Sequence, residues 1–205
     1  VPSEEPSEIS PRAFLEGIRF AWRDEEIRRP LVGLAAAGLL LIGPVMVGGA
    51  VMAEERFGDR ALLGYVLGGF GAGSLVGLAL APRLAARYSP AVPSVAGIAL
   101  GLGLVGISFA PGVALAAAAA AMMGLVVGAS WVAFVTWIQE RTPGAMRGRM
   151  MSIVAFALLA LDPLSYAVAG VLLPLGFQAA MLIPGALLAL VAVVSWPRRP
   201  RVRGA

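Results

Sequence analysis

The stretch GYVLGGFGAGSLVGLALAPRL (residues 64–84) combines a long apolar run with a regular series of glycines. About 20 apolar residues in a row make a helix long enough to cross the ~30 Å hydrocarbon core of a bilayer. Gly69, Gly73 and Gly77 recur at every fourth position, so they share one face of that helix. Lipid gives helices little hydrophobic drive to associate, and close contact there relies on small residues. The stretch therefore predicts a membrane-spanning helix whose backbone closely approaches a partner helix.

The composition of the whole chain indicates the same class of protein. Of its 205 residues, 59% are hydrophobic and only 14% are charged, which is more apolar surface than a soluble domain of this size can bury. Cysteine and histidine are both absent, so disulfides, thiolate chemistry and imidazole metal ligands are excluded. We expect no cofactor, no metal site and no enzyme activity, because no nucleophile–base pair is visible. Any proton or ion chemistry falls to the few carboxylates.

Six apolar stretches are each long enough for a transmembrane helix, which predicts an all-α membrane protein. They comprise residues 31–52, 61–81, 91–110, 113–138, 150–173 and 177–196, and are numbered here as spans one to six. Charged or proline-containing segments separate them, for example Thr142-Pro143-Gly144 between spans four and five.

The arginines divide unevenly between the two sides of such a bundle, and they account for all 16 basic residues. One side carries Arg12, Arg19, Arg23, Arg28, Arg29, Arg83, Arg87, Arg141, Arg147, Arg149, Arg198, Arg199, Arg201 and Arg203. The other side carries only Arg56 and Arg60, among three acids. The positive-inside rule therefore predicts a plasma-membrane protein with both termini in the cytoplasm. Because the charges cluster at span borders, the pI of about 10.6 does not indicate nucleic-acid binding.

Two polar segments flank the expected six-helix bundle of residues 31–196. Residues 1–30 are predicted to be a cytoplasmic linker, and residues 197–205 a basic cytoplasmic tail. Within the linker, residues 10–28 place their apolar side chains on one helical stripe. This pattern is typical of an amphipathic helix on the inner membrane surface, and an ordinary linker helix is the alternative.

The segment FALLALDPLSYAV (residues 156–168) contains the one acid well inside a span. At ~1.5 Å per residue, Asp162 lies about 18–20 Å into span five, near the bilayer midplane. A charged aspartate there costs about 2.5–3.5 kcal/mol on insertion scales, so it normally faces a partner, a cavity or water. Ser165 and Tyr166 follow on one polar stripe, and Pro163 predicts a kink. We expect Asp162, Ser165 and Tyr166 to form a substrate or proton-coupling site; the alternative is a protonated aspartate that serves packing alone.

Charged residues also lie at the predicted cytoplasmic edge of spans four and five. Glu140 ends span four, and Arg147 and Arg149 precede span five. These arginines either set topology and contact lipid headgroups, or they form a cytoplasmic gate by pairing with Glu140 or with acids elsewhere.

Three stretches taken together resemble the C-terminal half of a major facilitator superfamily transporter. They are LEGIRFAWRDEEIRR (15–29), the opening stretch (64–84) and ERTPGAMRGRMMSI (140–153), and together they extend over nearly the whole chain. The L-E-G-x-R-F and T-P-x-x-x-R-G-R patterns are moderately specific in combination. The most similar branch is that of enterobactin-exporter-like and related drug-efflux proteins.

This resemblance implies a fold of twelve helices in two six-helix bundles that rock about a substrate near the midplane, with this chain supplying one bundle. The implied partners are the lipid bilayer, a small-molecule substrate, and either a missing N-terminal half, in the same or a separate chain, or a second copy. Gly77, Arg83 and Arg87 match the small and basic elements of the family's loop motif, whose acid is missing at Ala81 and Pro82. We therefore group Arg83 and Arg87 with the predicted cytoplasmic gate.

The glycines of other spans are predicted to act like those of span two. Gly124 and Gly128 lie in span four, and Gly97 and Gly101 in span three. Packing is one interpretation, and smooth faces that slide during transport are the other.

The sequence favours the C-terminal half of a secondary transporter, an antiporter that uses an ion gradient to export a small amphipathic or siderophore-like molecule. The alternative is a half-bundle that does not transport and serves as a membrane scaffold.

Overall fold

A computed structural model describes residues 19, 22, 23, 25–85 and 91–196, and this part of the chain consists of helices joined by short turns, without a strand. The helices are α1 (Glu25–Leu40), α2 (Gly49–Phe57), α3 (Leu63–Ala85), α4 (Val92–Ser108), α5 (Val113–Arg141), α6 (Arg147–Leu159), α7 (Asp162–Leu172) and α8 (Phe177–Val194). A π-helical turn, Pro44–Gly48, connects α1 to α2. Helices α1 and α2 form span one, α6 and α7 form span five, and the other four helices are one span each.

Five helical runs in the described residues are long and apolar enough to cross a membrane. The sixth, α4, is apolar but has 17 residues, which is at the lower end of the ~17–25 that a bilayer requires. It packs between α8 and α5 as a member of the same bundle. The predicted class, an all-α membrane bundle, is confirmed.

Span one is longer and less regular than its hydropathy predicts. Its helix already includes Glu25, six residues before the apolar run, and the Glu25–Arg29 ion pair (2.5 Å) stabilises this charged turn, which hydropathy cannot detect. Further along, Pro44 has no N–H to donate to the carbonyl four residues earlier, and the helix widens there. The Gly49 N–H donates to the Pro44 carbonyl, five residues back, as in a π-helix.

Span five is broken where a kink is expected. Helix α6 ends at Leu159 and α7 starts at Asp162, with Pro163 in its first turn. Proline suits this position because the first N–H groups of a helix have no intrahelical partner. The hydrogen-bond ladder resumes with the Ser165 N–H donating to the Leu161 carbonyl over 2.8 Å.

Spans two and four make the closest helix–helix contact in the described part of the chain. A Cβ atom on Gly73 would collide with the Ala121 carbonyl oxygen, and one on Gly77 with that of Leu125. The contact is reciprocal: Gly124 of α5 lies against the backbone of Phe70. Gly69 and Gly128 meet the opposite backbone in the same way. The two helices are therefore in contact along their main chains.

Two further pairs of spans approach in the same manner. In the pair of spans three and six, a Cβ on Gly101 would lie 2.5 Å from the Gly185 carbonyl oxygen, and one on Gly97 would lie 2.8 Å from the Ala192 Cβ. In the pair of spans one and five, a Cβ on Gly38 would lie 2.6 Å from the Ala157 carbonyl oxygen. All six spans are thus joined in three close pairs.

Arg56 joins three spans at the end of the bundle where span one ends. Its guanidinium Nη1 donates to the Ser108 carbonyl over 2.7 Å, at the C-terminus of α4. The same group lies 5.1 Å from the ring centroid of Phe177, which begins α8. Because a cation stabilises the negative end of a helix dipole, this contact fastens span one to spans three and six.

The opposite end of the bundle, where spans one, three and five begin, is called here the arginine-rich end. Its described arginines include Arg28, Arg29, Arg83, Arg141, Arg147 and Arg149. Most of the predicted amphipathic segment, the 197–205 tail and Arg87 lie outside the described residues. Of that amphipathic segment, Arg19, Trp22 and Arg23 are helical and exposed.

Candidate functional site

Asp162 lies at the break in span five, as the first residue of α7. Its side chain is partly buried, and within the described residues it accepts no hydrogen bond and pairs with no arginine. The position is favourable for an anion, because the first-turn N–H groups carry the positive end of the helix dipole. A proton or a cation could therefore reach this carboxylate without first displacing a protein partner.

Ser165 and Tyr166 face different directions, although the sequence places them on one stripe with Asp162. Ser165 is fully buried, and its Oγ accepts a hydrogen bond of 2.9 Å from the backbone N–H of Gly43 in span one. Tyr166 is 43% exposed. Consecutive residues of a helix point about 100° apart. Span one packs against one side of α7, so it buries the Ser165 side chain and leaves that of Tyr166 exposed. Ser165 therefore connects the two irregular spans, while Tyr166 remains available on the surface.

Arg147, an expected gate residue, contacts the backbone rather than Glu140. Its Nε donates to the Gln139 carbonyl (3.1 Å) and to the Thr142 carbonyl (3.3 Å), at the C-terminus of α5. A cation at this negative helix end stabilises the turn that reverses the chain between spans four and five. Glu140 itself is exposed.

The other expected gate residues lie near this turn or outside the described part of the chain. Arg83 and Arg149 are both exposed at the arginine-rich end. Arg87 falls outside the described residues. The Arg141 guanidinium lies 5.0 Å from the ring centroid of the buried Trp137, which gives this end of α5 a second cationic contact.

A cavity of about 100 Å³ lies between spans one, three and four. Its wall is apolar except for Ser130, and it includes the ring of Trp131, which is 37% exposed. On the other sides the cavity is bordered by small residues such as Gly33 and Gly97. The sequence does not predict this cavity, because a cavity results from how three helices diverge, and no single helix carries that signal.

The comparisons with known proteins agree with this fold. Residues 29–205 match the description of the Major Facilitator Superfamily. The chain is also similar to the multidrug efflux pump Tap of Mycolicibacterium fortuitum, with 31% identity over 189 residues, which is 88% of this chain and 45% of the pump. It thus spans about half the length of that curated relative. No solved structure matches it.

The chain belongs to the Major Facilitator Superfamily. It is a multi-pass membrane protein of a family of transporters rather than enzymes, as the sequence predicts.

The Ser165–Gly43 contact leads to a test of how spans one and five are held together. Replacing Ser165→Ala leaves a buried N–H without its acceptor, which should lower the free energy of unfolding by about 1–3 kcal/mol. The matched control is Ser152→Ala, because the Ser152 hydroxyl donates to the Gly148 carbonyl over 3.1 Å at an exposed position. The control should change stability by less than about 0.5 kcal/mol. Denaturant titration in detergent measures both, and equal effects would contradict a special role for Ser165.

Proposed function

We propose that the chain is one six-helix half of a secondary active exporter, in which two bundles rock about a small-molecule substrate. The observation that carries this proposal is the superfamily match over residues 29–205, together with the similarity to a multidrug efflux pump. The bundle supports it physically, because three backbone-close helix pairs make a body rigid enough to move as a unit. The proposed location is the plasma membrane.

A second six-helix bundle is the proposed partner, from the same or another polypeptide or from a second copy of this chain. Spans two and five bury the least of their surface within the described bundle. Tyr65 on α3 is 68% exposed, and Val171 on α7 is 77% exposed. The chain corresponds to 45% of the related pump. We therefore propose that a second bundle, equivalent to the rest of that pump, packs against these exposed faces.

The substrate class that fits best is a small amphipathic molecule. The cavity beside Trp131 offers apolar wall and an aromatic ring face, and Asp162 offers a negative charge without an internal counter-ion. A cationic amphipathic compound has an apolar part that suits the cavity and a charge that suits Asp162, which lies on span five and is not part of the cavity wall. A siderophore-like substrate remains a narrower possibility within this proposal, and the charge of Asp162 does not favour an anionic one.

For coupling, Asp162 is the proposed proton carrier of this half. Acids inside membrane spans serve as proton relays in pumps and transporters, and one carboxylate can hold either a proton or a substrate cation. Exchange of a proton for a substrate cation at this position would connect the proton gradient to export. The protein would then act as an antiporter.

The coupling proposal predicts separate effects on uphill transport and on exchange. In the complete transporter reconstituted in vesicles, Asp162→Asn should abolish accumulation driven by a proton gradient, because no proton can be carried, while substrate exchange at equal concentrations continues. The matched control is Glu55→Gln, which alters an exposed acid at the end opposite the arginine-rich end, and it should leave both processes unchanged.

Each other outcome has a definite meaning. Loss of both processes in Asp162→Asn would indicate direct substrate binding in place of coupling. Unchanged gradient-driven flux with unchanged pH dependence would refute a coupling role. A parent protein without any flux would favour the scaffold alternative.

The arginine-rich end is proposed to face the cytoplasm, following the positive-inside rule. The chain has no cysteine, so single cysteines can report on orientation. Gly144→Cys is exposed at the arginine-rich end, and Pro111→Cys is exposed at the opposite end. In intact cells a membrane-impermeant maleimide should label position 111 and not position 144. The reverse pattern would overturn the orientation.

A further inference from the structure

The cavity between spans one, three and four has the size of a binding site for one small ring. It occupies about 100 Å³, compared with the ~10–15 Å³ that a single water molecule needs. An engineered protein cavity of ~150 Å³ binds benzene, so a space of this size suits a single ring and not a fused ring system. Because Trp131 both lines the cavity and is 37% exposed, the cavity is open at this residue.

Two aromatic rings form one side of this cavity. Trp131 and Phe134 lie three residues apart on α5, with ring centroids 6.2 Å apart and ring planes inclined at 41°. Both line the cavity, and Phe134 is buried. Aromatic rings attract one another in tilted or offset arrangements at centroid separations of ~4.5–7 Å. A third ring in the cavity would therefore gain such contacts in addition to the burial of its apolar surface.

Small residues of spans one and three leave the space in front of these rings empty. They include Gly33, Ala37, Ala96 and Gly97. A Cβ atom added to Gly33 would meet no atom within 4 Å, whereas one added to Gly97 would lie 2.8 Å from the Ala192 Cβ of span six. Gly97 therefore serves helix packing, and Gly33 keeps the cavity open.

One polar side chain belongs to this otherwise apolar wall. Ser130 lines the cavity next to Trp131 and is partly buried. Within the described residues its hydroxyl makes no hydrogen bond. A serine hydroxyl can both donate and accept, so it can pair with a hydroxyl group on a ligand.

The depth of the cavity favours an uncharged ligand. Trp131 lies ten residues before Arg141, the last residue of α5, and so about 15 Å from the arginine-rich end at ~1.5 Å per residue. None of the described residues in the wall is charged, and a charge at this depth without a partner is costly. Asp162 cannot neutralise a cation there, because it lies on span five and is not part of the wall.

We propose that this cavity binds one uncharged aromatic ring with a hydroxyl substituent, that is, a phenol. The ring lies against Trp131 and Phe134, beside Gly33, and its hydroxyl pairs with Ser130. The proposal deepens the proposed function, because the phenol would be the apolar part of an exported substrate, and it rests on that function for this role alone. The binding itself requires only the folded bundle.

The experiment measures the binding of 4-fluorophenol to the complete membrane protein that contains this chain, purified in detergent, from the fluorine NMR signal of the ligand. The parent protein should cause saturable broadening beyond that of empty micelles. Phenol should compete for this binding better than cyclohexanol, which has the hydroxyl and a similar size but lacks the aromatic ring. Gly33→Leu should fill the cavity and abolish saturable binding. The matched control is Gly64→Leu on span two, outside the cavity, where a Cβ also meets no atom within 4 Å, and it should leave binding unchanged.

A comparison of two ligands tests the role of the serine. Ser130→Ala should weaken the binding of 4-fluorophenol about fivefold, the effect of one ordinary hydrogen bond, and leave the binding of fluorobenzene unchanged. Trp131→Leu should weaken the binding of both ligands, because both lose the ring contact. This comparison keeps the test decisive if Gly33→Leu does not fold.

Two results would overturn the assignment. Equal saturable binding in the parent, Gly33→Leu and Trp131→Leu proteins would show that the ligand binds elsewhere. Equal competition by phenol and cyclohexanol would indicate a general apolar site, such as one for a lipid acyl chain.

The binding proposal and the exporter proposal fail separately. Saturable 4-fluorophenol binding by a parent protein without flux, unchanged in Asp162→Asn, would support the cavity site and refute the exporter. Normal export by a protein without saturable binding would refute the cavity site alone.

Discussion

The contact between α3 and α5 is the constraint on which the rest of the bundle depends. In lipid, apolar side chains gain little by meeting each other, so helices associate through close packing and hydrogen bonds. Glycines on both helices remove the side chains that would separate them, and each main chain then lies against the other. The pairs of spans three and six and of spans one and five repeat this arrangement. Of the other apolar side chains, some fill the core of the bundle, such as Leu104 and Ile138, and others are exposed on its outside, such as Val171.

The irregular backbone of spans one and five is possible because the two irregularities meet. Gly43, next to the π turn of span one, donates its N–H to Ser165, which lies just after the break in span five. Each segment thereby supplies polar or backbone groups to the other, as a membrane interior requires of any non-helical backbone. Asp162 lies at the edge of this junction, where the helix dipole favours its charge. The same break that creates the junction thus positions the one acid proposed for coupling.

The periodic features of the structure could be predicted from the sequence, and the features that depend on neighbouring helices could not. The six spans follow from hydropathy, the contact of spans two and four from glycine spacing, and the break in span five from Pro163. The separate directions of Ser165 and Tyr166 depend on where span one packs, which sequence spacing does not contain. The binding of Arg56 and Arg147 to carbonyls at helix C-termini likewise depends on how chain ends meet. For the same reason, the sequence does not predict the cavity between spans one, three and four.

The claim that close main-chain contact organises this bundle is tested most directly at two glycines of one helix. Gly73 faces the Ala121 carbonyl, and Gly71, two residues away, has open space where a Cβ would be. Gly73→Ala should lower the free energy of unfolding by about 1–3 kcal/mol, because a backbone atom cannot move aside as a flexible side chain can. Gly71→Ala should be neutral or stabilising by up to ~1 kcal/mol, because alanine is the better helix former. Denaturant unfolding of the two variants side by side in detergent supplies the measurement, and equal stability of Gly73→Ala and Gly71→Ala would contradict the account.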